Sequence, residues 1–349
     1  MKTCFKICAL LLVMAGMVAC TAPQNTAPTH KTAVVFDEGA NLTDHSFNQM
    51  AADGARKAAG ELKTQVDLLK FPKDKSSTGF YRYLAENGYT HIVGVGYLNV
   101  LPVIEVAADY PNVKFTVVDG LAPPSLPNVK SVRFKDNEGA FLVGMIAAAK
   151  SKTGKIAFIG ALEIPLVENF AAGYQQGARY QNPEIQIVKS ALVTDKNPWR
   201  DPVAASEATN QAIDFGADVI FAAAGESGMG ALKTAADRGV FAIGVDFNQN
   251  GLHPGKVLTS MVKRLDGAVY DAIKSEVVGN WKPGRVELGL KENGVDYTVD
   301  DNNKSLIPTW LKERVEQARQ SIVAGKLKVF SFREKVGSET EEIKEEEHN

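Results

Sequence analysis

KIAFIGALEIPLVENFAAGYQQGARYQNPEIQIVKSALVTDKNPWRDPVAASEATNQAIDFGADVIFAAAG, residues 155–225, is three short apolar runs separated by two helical patterns. The runs cover 155–159, 185–192 and 218–223. Runs this nearly apolar suit strands of a parallel sheet covered on both faces. The segments between them, 165–180 and 202–215, keep their apolar residues on one helical face. Strand, helix, strand, helix, strand is the rhythm of βαβ units and doubly wound sheets. The same rhythm extends outward. Strands are expected at 33–36, 66–71, 91–95 and 114–118 on one side and at 240–245 on the other, with helices at 136–150 and 228–238. From His45, the set Phe47, Met50, Ala51, Gly54, Ala55, Ala58 and Leu62 also shares one face, and Asp44 stands ahead of it as an N-cap candidate.

About 300 residues of this pattern favour two domains over one. The expected break is LAPPSLPN, residues 121–128, with three prolines in eight residues. A strand-like 131–134 then begins a second series. After Asp246 the rhythm changes: strands at 257–263 and 286–290 flank a single helix at 266–278. A late pair of this kind suits a chain that recrosses between lobes. A helix at 308–324 and a strand-like 328–332 finish the pattern. The expected organisation is a clamshell of two parallel-sheet lobes with hinge crossovers. Residues 32–128 with 256–285 would form one lobe, and 129–255 with 286–335 the other.

The N-terminus, MKTCFKICALLLVMAGMVAC, is a leader. Lys2 and Lys6 precede an uncharged, mostly apolar run over 7–19, too short to span a bilayer comfortably. Small residues before Cys20 resemble a lipoprotein cleavage signal, which would make Cys20 the acylated first residue after a signal peptide of 1–19. Ordinary secretion with cleavage nearby is the alternative. Cys4 and Cys8 leave with the leader, so the body has no disulfide and no thiol nucleophile. Residues 20–31 read as a flexible tether holding the body off a membrane. The tail, 336–349, reads as a disordered acidic end. The whole chain carries −2. The leader contributes +2 and the tail −5 (six Glu, one Lys), which leaves +1 on the body. A near-neutral body has no footprint for nucleic acid. The five His are scattered without metal spacing, so neither a metal nor a cofactor is expected.

In open α/β sheets, ligands bind outside the carboxyl ends of the strands. Asp37, Asp119 and Asp246 each follow an expected strand, and Lys263 ends one. A single Asp there reads equally as a cap or turn residue; three with a Lys point to a cleft. Phe47 and Asn48 begin the first helix, where Phe47 either staples the helix or faces the cleft. Trp199 sits in a polar, Pro-flanked loop, Asn197 to Pro202, with little core to join. A Phe and a Trp from opposite lobes would sandwich a flat ring. The loop Ala224 to Gly230 opens a helix, but its glycines match neither a dinucleotide fingerprint nor a phosphate loop. It suits close backbone approach to a neutral ligand. No nucleophile elbow and no Cys/His pair is present, so no enzyme is expected.

At these residues the chain resembles the basic membrane protein family of bacterial lipoproteins, nucleoside-binding receptors of ABC-type importers. The resemblance rests on Asp37, the stretch Asp44 to Gln49 (DHSFNQ), residues 128–144 (NVKSVRFKDNEGAFLVG), Ala223-Ala224-Gly225, Gly244-Val245-Asp246 and residues 258–264 (LTSMVKR), in order. It covers residues 32–330. It implies a type I periplasmic-binding-protein clamshell, an ABC permease and ATPase as partners, and a lipid anchor on the extracytoplasmic side of a cell membrane. It also implies roles. Phe47 would stack on a purine such as adenosine, guanosine or inosine, with Trp199 on the opposite face. Asn48, Asp37 and Asp119 would bond the base or the outer edge of the sugar. Asp246 would accept ribose hydroxyls, and Lys263 would orient that carboxylate or reach the sugar. Gly225 would offer an amide. Phe170 matches a family aromatic, as core or ligand wall. Relatives commonly read Ala-Gly-Gly-Thr-Gly at the glycine loop. Here Glu226 replaces the second Gly and brings a charge expected near the sugar. A ribose-type sugar receptor of the same fold is the alternative.

Overall fold

The structure, a computed structural model, describes residues 30–332. The leader, Cys20, most of the tether and the acidic tail lie outside the described residues. The chain runs β1 (Lys31–Phe36), α1 (Phe47–Leu62), β2 (Gln65–Lys70), α2 (Ser77–Glu86), β3 (His91–Val95), α3 (Val100–Ala107), β4 (Lys114–Val118) and β5 (Val129–Phe134). It continues through α4 (Asp136–Lys150), β6 (Lys155–Gly160), α5 (Pro165–Gln181), β7 (Gln186–Ala191), α6 (Pro202–Asp214), β8 (Val219–Ala223), α7 (Gly228–Asp237) and β9 (Phe241–Asp246). It closes with β10 (Val257–Lys263), α8 (Leu265–Val277), β11 (Gly284–Leu288), β12 (Val295–Tyr297) and α9 (Thr309–Val323).

Two six-stranded sheets form, in the orders β11-β5-β4-β3-β1-β2 and β12-β10-β9-β8-β6-β7. The first is wholly parallel. The second is parallel except for β12, which pairs antiparallel with β10. Strands β3 and β8 are buried along their whole length because helices cover both faces. Strand order reverses between β1 and β3 in one sheet and between β6 and β8 in the other. These switch points open a crevice at the strands' carboxyl ends, and the two crevices face each other.

Among the described residues, three segments join the lobes: β5 to α4, β10 to α8, and β11 to β12. They lie side by side. The Lys135 amide donates to Leu288 O (3.0 Å), Arg264 N to Gly294 O (2.8 Å) and Gly294 N to Gly289 O (2.8 Å). The expected lobe boundaries therefore need correction. Strand β5, assigned to the second lobe, lies within the first sheet; β10, assigned to the first, lies in the second; and β11, assigned mostly to the second, edges the first. The proline-rich 121–128 is not the break, because it links β4 to its own parallel neighbour β5. The strand-like 328–332 is also corrected. Its backbone meets side chains instead of a sheet: Gln176 and Phe330 exchange two hydrogen bonds (2.9 and 3.1 Å), and Asn169 Oδ1 accepts from Phe332 N (3.1 Å).

Helix α4 is apolar nearly all round, and it is buried between the second sheet and α5. Contact this close requires glycine. A Cβ at Gly177 would stand 1.9 Å from Phe141 O, and one at Gly173 would stand 2.2 Å from Asn137 O. Helix α8 returns to the first lobe and packs on α1.

Candidate ligand-binding cleft

The cleft between the lobes has a free volume of about 870 Å³, counting its open mouth. Small-molecule sites typically fall within roughly 300–1,000 Å³. The first lobe contributes Asp37 after β1, Phe47 and Asn48 in the first turn of α1, Gly96 and Tyr97 after β3, and Asp119 after β4. The second contributes Phe170 from α5, Trp199 and Arg200 from the loop before α6, Gly225 and Glu226 after β8, Asp246 at the end of β9 and Lys263 at the end of β10. All ten residues singled out as site candidates thus come together in one place.

Local chemistry aims them there. Ser46, not Asp44, is the N-cap of α1. The Asp44 carboxylate instead accepts from Ser46 N (3.2 Å) and Oγ (2.7 Å), which fixes the turn that presents Phe47. Phe47 lines the cleft and also packs against the core. Phe170 does the same, since it is 5 % exposed and belongs to the core. The Trp199 loop is bonded to the glycine loop. Ser227 Oγ donates to Pro198 O (2.7 Å) and accepts from Asp201 N (2.6 Å), while Ser227 N donates to Trp199 O (3.2 Å). Asp201 caps α6 by accepting from Ala204 N. Gly225, at φ +56°, passes so close to Trp199 that a Cβ would sit 3.4 Å from the indole.

Asp119 and Asp246 occupy matching positions in the two lobes, each with left-handed backbone at φ +64° and +63°. Non-glycine residues held this way cost free energy and cluster at functional sites. The floor of the cleft is ionic. Lys263 Nζ lies 2.7 Å from Asp119 Oδ2, across the lobes, and 3.0 Å from Asp136 Oδ1, with all three side chains at most 2 % exposed. The rings of Phe134, Phe170 and Phe47 surround the ammonium at 5.0, 5.3 and 5.7 Å. Asp246 joins this group electrostatically. Burial pushes its carboxyl up to about 7, Asp119, Asp136 and Asp44 push the same way, and Lys263 opposes them. At the mouth, burial raises Asp37 against the pull of Arg200. Burial and the charge of Asp44 raise Glu226, again against Arg200. Glu226 therefore stands with Asp37 and Asp44, so its charge acts at that end of the cleft.

Several cleft groups are unspent. Among the described residues, no hydrogen bond or ion pair reaches the side chains of Asn48, Glu226 or Asp246, although Asp246 is 7 % exposed, and Trp199 Nε1 is buried without a partner. Buried polar groups are ordinarily satisfied. Sequence reasoning gave no role to three residues of the site: Tyr97, whose ring tilts against Trp199 at 6.3 Å, Arg200, and Asp136. Asp136 is the least legible, because the first residue of a helix carries no mark of the lysine it meets 127 positions away. Among the described residues no cluster of metal-ligating groups occurs, and no helix is long and apolar enough to cross a membrane.

Two lobes closing on a crevice of this kind are the architecture of solute-binding proteins, and comparison with known proteins agrees. The profile of the Bmp family, described as ABC transporter substrate-binding protein PnrA-like, matches residues 30–329. The chain belongs to this family. The substrate-binding protein is 31 % identical over 326 residues to basic membrane protein D of Borreliella burgdorferi (91 % of this chain, 93 % of the relative). It is also 31 % identical to the CD4+ T-cell-stimulating antigen of Listeria monocytogenes, covering 85 % and 87 %. Among solved structures, a solute-binding protein of an ABC transporter system from Aeropyrum pernix superposes with a TM-score of 0.77 at 29 % identity, covering 86 % of this chain and 93 % of that one. The type I solute-binding fold and the family expected from the sequence are both met, and curated relatives from Pyrococcus are named lipoproteins.

Proposed function

We propose that this substrate-binding protein captures nucleosides, purine nucleosides in preference, and delivers them to an ABC permease and its ATPase while a lipid on Cys20 holds it to the outer face of the cell membrane. One observation carries the ligand reading. The cleft takes Phe47 and Trp199 from opposite lobes and has the buried Asp246 carboxylate and the Asn48 amide unspent in its lining. Aromatic walls suit a flat base, each stacked face contributing about 1–3 kcal/mol. An acceptor-only carboxylate suits the hydroxyls of a sugar.

Charge narrows the class. The cations of the cleft are committed: Lys263 to Asp119 and Asp136, and Arg200 to Asp37 at 3.6 Å. Phosphate recognition favours free Arg forks, so nucleosides bind and their monophosphates do not. Native mass spectrometry of the purified protein, followed by calorimetry with adenosine, guanosine, inosine, their 5′-monophosphates and ribose, tests both statements. A pentose that binds where no nucleoside does turns the assignment to a sugar receptor. Tight monophosphate binding removes the charge argument.

A further inference from the structure

Arg200 belongs to the second lobe, yet its guanidinium reaches the first across the mouth of the cleft. Nη2 lies 3.6 Å from Asp37 Oδ2. Nη1 lies 1.0 Å from the point where a Cβ would stand on Gly39. Gly39 is therefore a notch, and the side chain it lacks is the space the guanidinium fills. Its backbone lies outside the left-handed region, so conformation does not call for glycine there, whereas the docked arginine does. The Arg200 side chain is 27 % exposed despite its place at the rim.

We propose that Arg200 is a positioning residue that latches the lobes: it enters the Gly39 notch as the cleft closes and there holds the Asp37 carboxylate in place. This rests on the reading that Asp37 faces the ligand. Notch and arginine sit on different lobes, so the contact exists only when they are closed. An interaction confined to the closed state slows opening. Its loss acts on release, while the open cleft still meets ligand at the same rate. A planar fork also fills a flat notch beside a carboxylate in a way that a lysine ammonium does not.

The test uses the full chain with Gly39→Ala, Arg200→Ala, Arg200→Lys and the double alanine variant. Alanine fits the Gly39 backbone and moves only the end of a flexible side chain, so the fold is kept. Release and association of adenosine, guanosine, inosine and ribose are followed by stopped-flow tryptophan fluorescence, and small-angle scattering reports the lobe separation of the same proteins without ligand. Each alanine substitution is expected to speed release about two- to fivefold, the scale of a partly exposed ion pair, with association changed by less. The double variant should release no faster than Arg200→Ala, because both changes remove one contact. Arg200→Lys should not rescue, and the radius of gyration should rise in all four. Unchanged release with unchanged scattering overturns the latch, and so do additive effects of the two alanines. If none of the four ligands binds the parent protein, the nucleoside reading falls and scattering alone decides: a larger radius upholds the latch and an equal one refutes it.

Discussion

Replacing Asp246 by Asn should stabilise the ligand-free protein while removing its hold on the ligand. The Asp246 carboxyl is 7 % exposed and is pushed up to about 7 from an ordinary 3.8, by burial first and by Asp119, Asp136 and Asp44 after it. A raised folded value means that between about pH 4 and pH 7 the folded protein holds a proton the unfolded chain has lost. By linkage, stability falls through that window as pH rises. Each unit corresponds to 1.36 kcal/mol, so between pH 5 and pH 7 this one group removes about 2–3 kcal/mol. Asparagine does not titrate, keeps the shape and tolerates left-handed backbone. Urea unfolding of both proteins at pH 5 and at pH 8 reads the effect. The Asn variant should lead at both, by about 2–3 kcal/mol more at pH 8, while its nucleoside affinity falls at least tenfold. A stability difference that does not change between the two pH values would refute the account of Asp246 as a carboxyl held in an unfavourable place for the sake of a ligand.

The same carboxyl fixes the pH dependence of binding. On the proposed reading, in which ligand hydroxyls bond the ionised form, binding should release protons and affinity should fall as pH drops below about 7; calorimetry in buffers of different ionisation enthalpy counts those protons. Lys263→Met strands the carboxylates of Asp119 and Asp136 in the interior. Chemical denaturation should show a loss of about 3–5 kcal/mol, most of it recovered when both carboxylates are also replaced by apolar residues. Trp199→Ala and Phe47→Ala should each weaken nucleoside binding by about 1–3 kcal/mol and leave ribose binding, if any is detected, much less affected. Gly177→Ala forces a Cβ to within 1.9 Å of Phe141 O; because the obstacle is backbone, the α4–α5 pair must part, and thermal unfolding should register about 1–3 kcal/mol of destabilisation.

The sequence shows where the cleft is more readily than how its walls are tied together. Apolar runs identify the strands, and the chemistry of a parallel sheet then marks the residue after each run, which is how Asp37, Asp119 and Asp246 stand out. Residues whose importance lies in a distant partner carry no such mark. Asp136 reads as an ordinary acidic first-turn residue and Arg200 as a neighbour of Trp199. The lobe boundaries were misplaced for a related reason. Prolines at 121–128 signal an irregular link but not its destination, and the crossovers at Lys135 and Arg264 have no compositional signature, because strand and helix abut there within a residue or two. The short β12 escaped notice since three residues are too few to show a period.

The three crossovers also govern the order in which the molecule can be assembled. The first lobe begins with β1, but its edge strand β11 and the helix α8 that packs on α1 come only after the chain has traversed most of the second lobe. As the polypeptide emerges from its N-terminus, the first sheet stays unfinished and the apolar face of α1 uncovered until residue 288 or so is available. Neither lobe can close its core from a contiguous stretch of chain, and the contacts that complete the first are distant in sequence, which makes them slow to form. The crossovers that join the lobes thus also make each lobe wait for chain that is made later before its sheet is complete. They leave a long interval in which unpaired strands must be kept from one another.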